Sequence, residues 1–162
     1  MTATLPPEIF AWLNRLRQMY FPPDRNHIDA HVTLFHAIPP SGEDELRHLL
    51  ADLAAGSGPL AAELASVISL GRGTAFGIVS PQLLDLRALI ADRFAGMLTA
   101  QDMHRPRLHV TVQNKVTPEA ARALKQELEH DFIARPFVFA GLEAHYYLGG
   151  PWRLAGQWRF RR

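Results

Sequence analysis

The sequence repeats itself once, at a fixed spacing of 78 residues. His109 follows His31 by 109 − 31 = 78 positions, and the same offset aligns Val32 with Val110 and Thr33 with Thr111. It also aligns positions further along the two copies: Pro40 with Pro118, Leu46 with Leu124, Leu50 with Leu128, Leu70 with Leu148 and Gly71 with Gly149. A unit this long that occurs only twice indicates two similar lobes, because stacked arrays have shorter units and more of them.

Apolar periodicity, together with the positions of proline and glycine, predicts a similar order of elements in the two halves. The first half is predicted as strand 2–5, helix 7–20, strand 28–38, helix 41–53 and a hairpin of strands 60–70 and 74–80. The second half is predicted as helix 81–98, strand 108–116, helix 118–132 and two last strands around the Gly149-Gly150-Pro151 turn.

This pattern predicts an α/β protein of the α+β type with two pseudo-symmetric lobes. Each lobe is expected to hold an antiparallel sheet flanked by helices, and the active-site cleft is expected between the lobes. We expect residues 1–162 to form a single domain whose repeated halves are approximately 1–80 and 81–162.

Composition narrows the classes of function. Of the 162 residues, 48% are hydrophobic and 20% are charged, which is typical of an ordinary globular protein that needs no metal or cofactor to fold. The absence of cysteine excludes disulfides, thiolate metal sites and a cysteine nucleophile. A net charge of +1 gives no overall field for coating a long polyanion. Since the sequence shows no signal peptide or membrane span, we expect a cytoplasmic protein without a membrane partner. We also expect a monomer, because no feature of the sequence implies a protein partner.

Each copy of the repeat carries a His-x-Thr triplet in a predicted strand. Residues i and i+2 of a strand point to the same face, so His31 projects with Thr33 and His109 projects with Thr111. If the two lobes face each other, two imidazoles and two hydroxyls surround one site. One neutral histidine can then take a proton from an attacking hydroxyl or water, and the other can give a proton to the leaving oxygen. The hydroxyls can hold the oxygens of a phosphodiester, so this chemistry requires no cofactor and no metal.

The segments His31-Val-Thr-Leu34 and His109-Val-Thr-Val112 resemble the paired His-x-Thr-hydrophobic motifs of the 2H phosphoesterases. That superfamily contains the 2'-5' RNA ligases and cyclic nucleotide phosphodiesterases. The resemblance implies a bilobal fold with a central cleft. It also implies that His31 and His109 act as general acid and base on 2',3'-cyclic or 2'-5' phosphodiesters of RNA ends or small nucleotides, with Thr33 and Thr111 binding the phosphate.

Six further residues are candidates for substrate binding. Arg107 shares the strand face of His109, and Arg72 lies in the predicted turn of the first hairpin. Phe35 and Gln113 lie two residues beyond the motif threonines, and Tyr147 and Trp152 flank the last turn, where they could stack on a base. Solvated charge for the arginines, and core or cross-strand packing for the aromatic side chains, are the competing interpretations.

Two alternative functions stay open at the level of sequence. His27, Asp29 and His31 share a strand face and could form the ligand set of a metal-dependent hydrolase. The second copy of the repeat disfavours this because it has Arg105 and Arg107 in place of His27 and Asp29. The other alternative is a module that binds RNA ends or nucleotides without turning them over.

Overall fold

The computed structural model describes residues 1–161, which form eight strands and five α-helices. The helices are α1 (Pro7–Tyr20), α2 (Glu43–Gly56), α3 (Pro81–Arg93), α4 (Ala100–Met103) and α5 (Pro118–His130). The strands are β1 (Thr2–Thr4), β2 (Val32–Thr33), β3 (Leu60–Ser69), β4 (Thr74–Val79), β5 (His109–Gln113), β6 (Arg135–Phe139), β7 (Gly141–Tyr147) and β8 (Trp152–Arg159).

The strands form two four-stranded antiparallel sheets, which confirms the predicted α+β architecture. The first sheet has the order β2-β1-β7-β8, and the second has the order β5-β4-β3-β6. Helix α2 packs on β7 and β8, whereas α1 packs on β5 and α5 packs on β3 and β4. The motif strands β2 and β5 are therefore edge strands of different sheets.

Each sheet combines strands from both halves of the sequence. The β3–β4 hairpin of the first half lies between β5 and β6 of the second half, and the β7–β8 hairpin of the second half lies beside β1. Neither half of the repeat therefore builds a sheet alone. Because β5 pairs with β4 while β2 pairs with β1, the two motif strands also have different neighbours.

Helices α3 and α5 each begin with a capping hydroxyl followed by a proline. Ser80 caps α3 by accepting a hydrogen bond from the amide of Leu83 at 3.4 Å, and Thr117 caps α5 by accepting from the amide of Ala120 at 3.2 Å. Pro81 and Pro118 take the first helical positions, where proline loses no helical hydrogen bond.

The two hairpin turns use glycines that the repeat aligns. Gly71, between β3 and β4, has a φ of 78°, and Gly149, between β7 and β8, has a φ of 86°. These values lie in the left-handed region that side-chain-bearing residues rarely adopt. The match between Gly71 and Gly149 in the sequence therefore reflects a shared turn geometry.

One cluster of buried apolar side chains extends through both sheets. It includes Val32 and Leu142 from the first sheet and Phe76 and Val110 from the second, each at most 1% exposed. Helix residues such as Leu50 complete it. The motif strands therefore bury the residue between histidine and threonine and present the polar pair on the opposite face.

The predicted strand over residues 28–38 is much shorter in the structure. Only Val32 and Thr33 pair with a neighbouring strand, which is β1. Beyond them, the carboxylate of Asp102 accepts hydrogen bonds from the amides of His36 and Ala37 at 2.9 to 3.0 Å. Because these amides donate to a side chain and not to a neighbouring strand, the pairing of β2 with β1 ends before them.

The second half also differs from its predicted elements. The helix expected over 81–98 ends at Arg93, and Gly96, with a φ of 84°, lies between it and the separate helix α4. The strand β6, which was not predicted, pairs with β3 and provides the edge of the second sheet.

Candidate active site

The two motif histidines are held in the same way. The Nδ1 of His31 lies 2.7 Å from the carbonyl oxygen of Asp29, and the Nδ1 of His109 lies 2.7 Å from that of Arg107. Since a carbonyl oxygen can only accept, Nδ1 must carry the proton and donate in both cases. The Nε2 of each neutral ring is therefore left as an acceptor, which is the state a general base requires.

The two motif histidines lie close enough for the charge of His109 to affect the pKa of His31. Strands β2 and β5 approach each other although they belong to different sheets. The positive charge of a protonated His109 is one of the causes that lower the pKa of His31. Thr33 and Thr111 are both half-buried and lie on the same faces as their histidines.

Burial dominates the acid–base behaviour of His31. Its pKa falls from the ordinary 6.5 to about 4, chiefly because desolvation penalises the charged ring. The hydrogen bond to Asp29 raises the pKa, while the positive charges of Arg17 and His109 lower it further. His31 is consequently neutral at physiological pH.

An aromatic stack covers one side of His31. The indole of Trp152 lies with its centroid 4.8 Å from the ring of His31 and 5.1 Å from the ring of His145. The Nε2 of His145 in turn lies 3.1 Å from the hydroxyl of Thr2 and 3.3 Å from a carboxylate oxygen of Glu143. Trp152 therefore packs against two imidazoles, and the imidazole of His145 is anchored to the first sheet.

Glu143 anchors this side of the site through several donors. Its Oε1 accepts from the side-chain amide of Gln157 at 2.9 Å and from the hydroxyl of Thr4 at 3.4 Å. The hydrogen bond with His145 is the main cause that holds the pKa of Glu143 below its usual value. The carboxylate thus stays ionised under Trp152.

A cavity of about 380 Å³ opens beside His31. Its apolar walls include Phe10 and Ile28, and Trp152 borders it together with His31. The hydroxyl of Thr2 and the carboxylate of Glu143 supply polar groups. A cavity with these features falls within the size range of small-molecule sites.

Three of the sequence-predicted binding residues lie at exposed positions. Arg107 is exposed, and the structure uses its backbone carbonyl to hold His109. Arg72 is exposed and donates to the carbonyl of Val116, beyond the end of β5 that is remote from His109. Tyr147 is 73% exposed at the end of β7, so it is accessible to a ligand. Their roles in binding remain predictions.

Phe35 and Gln113, two of the sequence-predicted candidates for substrate binding, are both buried. Phe35 is only 1% exposed and lies beneath the guanidinium of Arg87, 4.4 Å from its ring centroid, because β2 ends at Thr33 and the face alternation stops there. Gln113 is 7% exposed, and its Oε1 has no hydrogen-bond partner within residues 1–161. Their burial favours the competing interpretation, core packing, and a role for either side chain in substrate binding stays a prediction.

The geometry does not favour the metal-hydrolase alternative. Asp29 accepts a hydrogen bond from the side-chain amide of Asn14 at 3.1 Å, and the Nδ1 of His31 faces the backbone of Asp29. Over the described range 1–161, no three histidine, aspartate or glutamate side chains are grouped so that they could hold a metal ion.

Three residues that shape the site were not predicted as site residues from the sequence: Arg17, Glu143 and His145. A signal existed for Arg17, because it lies four residues after Leu13 on the buried face of α1, where a charge is unusual. Glu143 and His145 gave no local signal. Their proximity to Trp152 depends on the pairing of β7 with β1 and β8, which is non-local.

Each of the two sheets thus carries one His-x-Thr strand at an edge, and the histidines of these two strands are held by matching hydrogen bonds. The sequence profile of the 2'-5' RNA ligase superfamily matches residues 5–151, so the chain belongs to that superfamily, as the motif resemblance implied. The structure is similar to the crystal structure of TT0787 of Thermus thermophilus, with a TM-score of 0.63 and 16% sequence identity. The alignment covers 99% of this chain and 96% of that one, which shows a shared fold. No curated protein matches the chain significantly.

Membership of the superfamily supports phosphoesterase-type chemistry on RNA or nucleotides. Within residues 1–161, none of the helices is both long enough and apolar enough to cross a membrane.

Proposed function

We propose that the protein is a metal-independent phosphoesterase that acts on 2',3'-cyclic or 2'-5' phosphodiesters of RNA ends or small nucleotides. The observation that carries this proposal is the matched hydrogen bonding of His31 and His109. Each ring donates through Nδ1 to the carbonyl two residues before it, which leaves both Nε2 atoms available for proton transfer. Superfamily membership independently supports this class of chemistry.

His31 is assigned as the general base and His109 as the general acid for hydrolysis. The low pKa of His31, which follows from its burial, keeps its Nε2 unprotonated and ready to accept a proton at neutral pH. The base takes a proton from water as the water oxygen bonds to phosphorus. As the bond from phosphorus to the ribose oxygen breaks, His109, acting in its imidazolium form, gives its Nε2 proton to that oxygen. The hydroxyls of Thr33 and Thr111 donate to the non-bridging oxygens, where negative charge increases.

The cavity beside His31 is the proposed site for one nucleoside of the substrate. Its walls of Phe10, Ile28 and Trp152 suit the face of a base, and Thr2 and Glu143 offer hydrogen-bonding groups. Arg107 and Tyr147 are retained as proposed outer contacts because both are exposed, whereas Arg72 lies beyond the far end of β5.

A substrate screen tests the proposal. The four 2',3'-cyclic nucleotides and a set of 2'-5' linked dinucleotides are incubated with the wild-type protein and with the double variant His31→Ala/His109→Ala, with and without chelator. We expect turnover of at least one substrate class by the wild type, no loss in chelator, and none by the double variant.

Three other results contradict this proposal. Turnover that disappears in chelator indicates a metal hydrolase, and turnover that persists in the double variant excludes the histidine pair. Tight binding of a cyclic-phosphate nucleotide without product indicates a binding module. A variant of the exposed His130, His130→Ala, serves as the control for histidine replacement as such.

A further inference from the structure

Two arginines are buried between the lobes without an ionic partner. Arg17 of α1 and Arg87 of α3 are each only 5% exposed, and neither forms an ion pair with a carboxylate within residues 1–161. Desolvation lowers the pKa of both guanidiniums. The charges of Asp29 and Asp102 offset this effect in part, but neither carboxylate forms an ion pair with the arginine. Burial of a charge without a direct ionic partner is costly, so both positions require an explanation beyond packing.

Arg17 connects the two motif strands. Its Nε donates to the carbonyl of Ile28 at 2.8 Å, three residues before His31, and its Nη1 donates to the carbonyl of Thr111 at 2.8 Å. Its Nε also contacts the side-chain oxygen of Asn26 at 2.8 Å, and the guanidinium lies 4.1 Å above the ring of Phe21. A helix of the first half thus holds the motif strand of the second half.

Arg87 makes the reciprocal connection. It belongs to the second half, yet its Nε donates to the carbonyl of Leu34 at 3.1 Å, next to Thr33. Its Nη2 donates to the backbone carbonyl of Asp102, in the helix that precedes the second motif. Its guanidinium lies above the ring of Phe35, as that of Arg17 lies above Phe21.

These bonds matter because the ladders alone do not fix the distance between the histidines. Strands β2 and β5 are edge strands of different sheets and share no backbone ladder. A planar guanidinium with several N–H groups in a rigid fork can hold two carbonyls at a set separation, which a lysine ammonium on a flexible stem cannot. The charge of Arg17 also reaches the site, since it contributes to the lowered pKa of His31.

We propose that Arg17 and Arg87 are reciprocal positioning residues for His31 and His109. Arg17 ties the second half's His-x-Thr strand to the segment that leads into His31, and Arg87 ties the first half's His-x-Thr strand to α4, the helix that precedes His109. Together these bonds set the spacing of the two histidines around the phosphate. The catalytic part of this inference rests on the proposed function, whereas the structural part does not.

Lysine and methionine variants separate geometry from charge. Arg17→Lys retains the charge but cannot bridge Ile28 and Thr111, and a misplacement of about 1 Å can lower turnover about a hundredfold. We expect kcat to fall ten- to a hundredfold, as an order of magnitude, with a smaller change in KM, and the pKa of His31 measured by NMR to stay low. Arg17→Met should lower kcat similarly and also raise the pKa of His31, because the charge is lost.

Arg87→Lys tests the reciprocity and should also lower kcat more than it changes KM. Arg15→Met is the matched control, because Arg15 is exposed on the same helix as Arg17 and should leave kcat and the His31 titration unchanged. Wild-type kcat in folded Arg17→Lys overturns the proposal, and so does a loss of activity no larger than the fraction of unfolded protein. Unchanged kcat in folded Arg87→Lys overturns the reciprocity.

A binding measurement keeps this inference separate from the proposed function. If the wild type turns over no phosphodiester, inorganic phosphate is titrated while the imidazole signals of His31 and His109 are followed by NMR. Both signals of the wild type should respond with one Kd, and the two lysine variants should weaken that Kd about tenfold, which is about 1.4 kcal/mol. An unchanged Kd in the lysine variants overturns the positioning role even when no substrate is known.

Discussion

At His31, burial and hydrogen bonding shift the pKa of the ring in opposite directions. The hydrogen bond to the carbonyl of Asp29 favours the protonated ring, but desolvation is the larger effect and lowers the pKa to about 4. The result is a histidine that is neutral across the physiological range and needs no carboxylate partner to set its tautomer. This differs from the Ser-His-Asp arrangement, in which an aspartate orients the imidazole.

The depressed pKa predicts a loss of stability in mild acid. The pKa of His31 is about 4 in the folded chain and about 6.5 in the unfolded chain, so between these values only the unfolded chain binds the proton. The free energy of unfolding should therefore fall as the pH is lowered from 6.5 to 4, by at most about 3 kcal/mol from this residue. Urea unfolding at several pH values measures it.

A His31→Gln variant isolates this contribution. It should show a shallower loss of stability over the same pH window, while His130→Gln, at a side chain that is 82% exposed, should follow the wild type. Equal pH slopes in the wild type and His31→Gln would show that His31 is not desolvated as described.

Trp152 should contribute to the desolvation of the His31 ring. Its indole covers one side of the His31 ring at 4.8 Å, so Trp152→Ala admits water and should raise the pKa of His31 toward 6.5. Trp152→Phe retains an apolar ring and should raise it less. An NMR titration of the imidazole signal checks both, and identical pKa values in Trp152→Ala and the wild type would refute the shielding role.

At the scale of single elements, the repeat aligns two glycines, Gly71 and Gly149, that have the same positive-φ conformation in the two hairpin turns. Gly149 has a φ of 86° and nothing within 4 Å of an added Cβ, so the cost of Gly149→Ala is conformational alone. We expect a loss of about 1 kcal/mol in the free energy of unfolding, because alanine disfavours this region. Gly150→Ala is the matched control, since Gly150 also has open space but no positive φ. Equal effects of the two substitutions on thermal unfolding would contradict this explanation.

The long elements were predictable from local signals, and the irregular segments were not. Helices α1, α2 and α5 match their predicted spans closely because their signals act within a few residues. These signals are the apolar spacing of all three helices, the prolines at the starts of α1 and α5, and the Thr117 cap of α5. The segment after Thr33 was predicted as strand because its composition is apolar. The amides of His36 and Ala37 instead donate to the carboxylate of Asp102, which is 66 positions from His36, and no local pattern indicates such a partner.

The candidate site also has a part that local sequence patterns predict and a part that depends on non-local contacts. The positions of His31, Thr33, His109 and Thr111 follow from the repeat and the period of a strand, so their faces could be read from the sequence. Core packing of Phe35 was one of the two interpretations open from the sequence, but its partner Arg87 was not predictable, because that contact joins residues 52 positions apart.

At the scale of the whole molecule, the hairpin of each half pairs with strands of the other half, and this exchanged pairing makes the two halves interdependent. Strands β3 and β4 pair with β6 and β5, and β7 pairs with β1, so each sheet needs both halves of the sequence. The 78-residue repeat could not reveal this, because the same sequence pattern is compatible with hairpins that stay in their own half. Only the register of the ladders distinguishes the two arrangements.

Fragments of the chain test this interdependence. A fragment of residues 1–80 would expose the apolar residues of β3 and β4 that the second half covers, among them Leu64 and Phe76. We expect fragments 1–80 and 81–162 each to lack a cooperative thermal transition by circular dichroism, and an equimolar mixture to recover part of the native signal. Cooperative folding of either fragment alone would contradict the exchanged pairing.

The central claim is that His31 and His109 act together on one phosphodiester. The most direct measurement is kcat/KM for a 2',3'-cyclic nucleotide with the single variants His31→Ala and His109→Ala, and with the exposed-site control His130→Ala. Each proton transfer typically contributes about 10² to 10⁴ in rate, so each motif variant should lose at least about a hundredfold while the control keeps wild-type activity. Wild-type activity in either His31→Ala or His109→Ala would contradict the account.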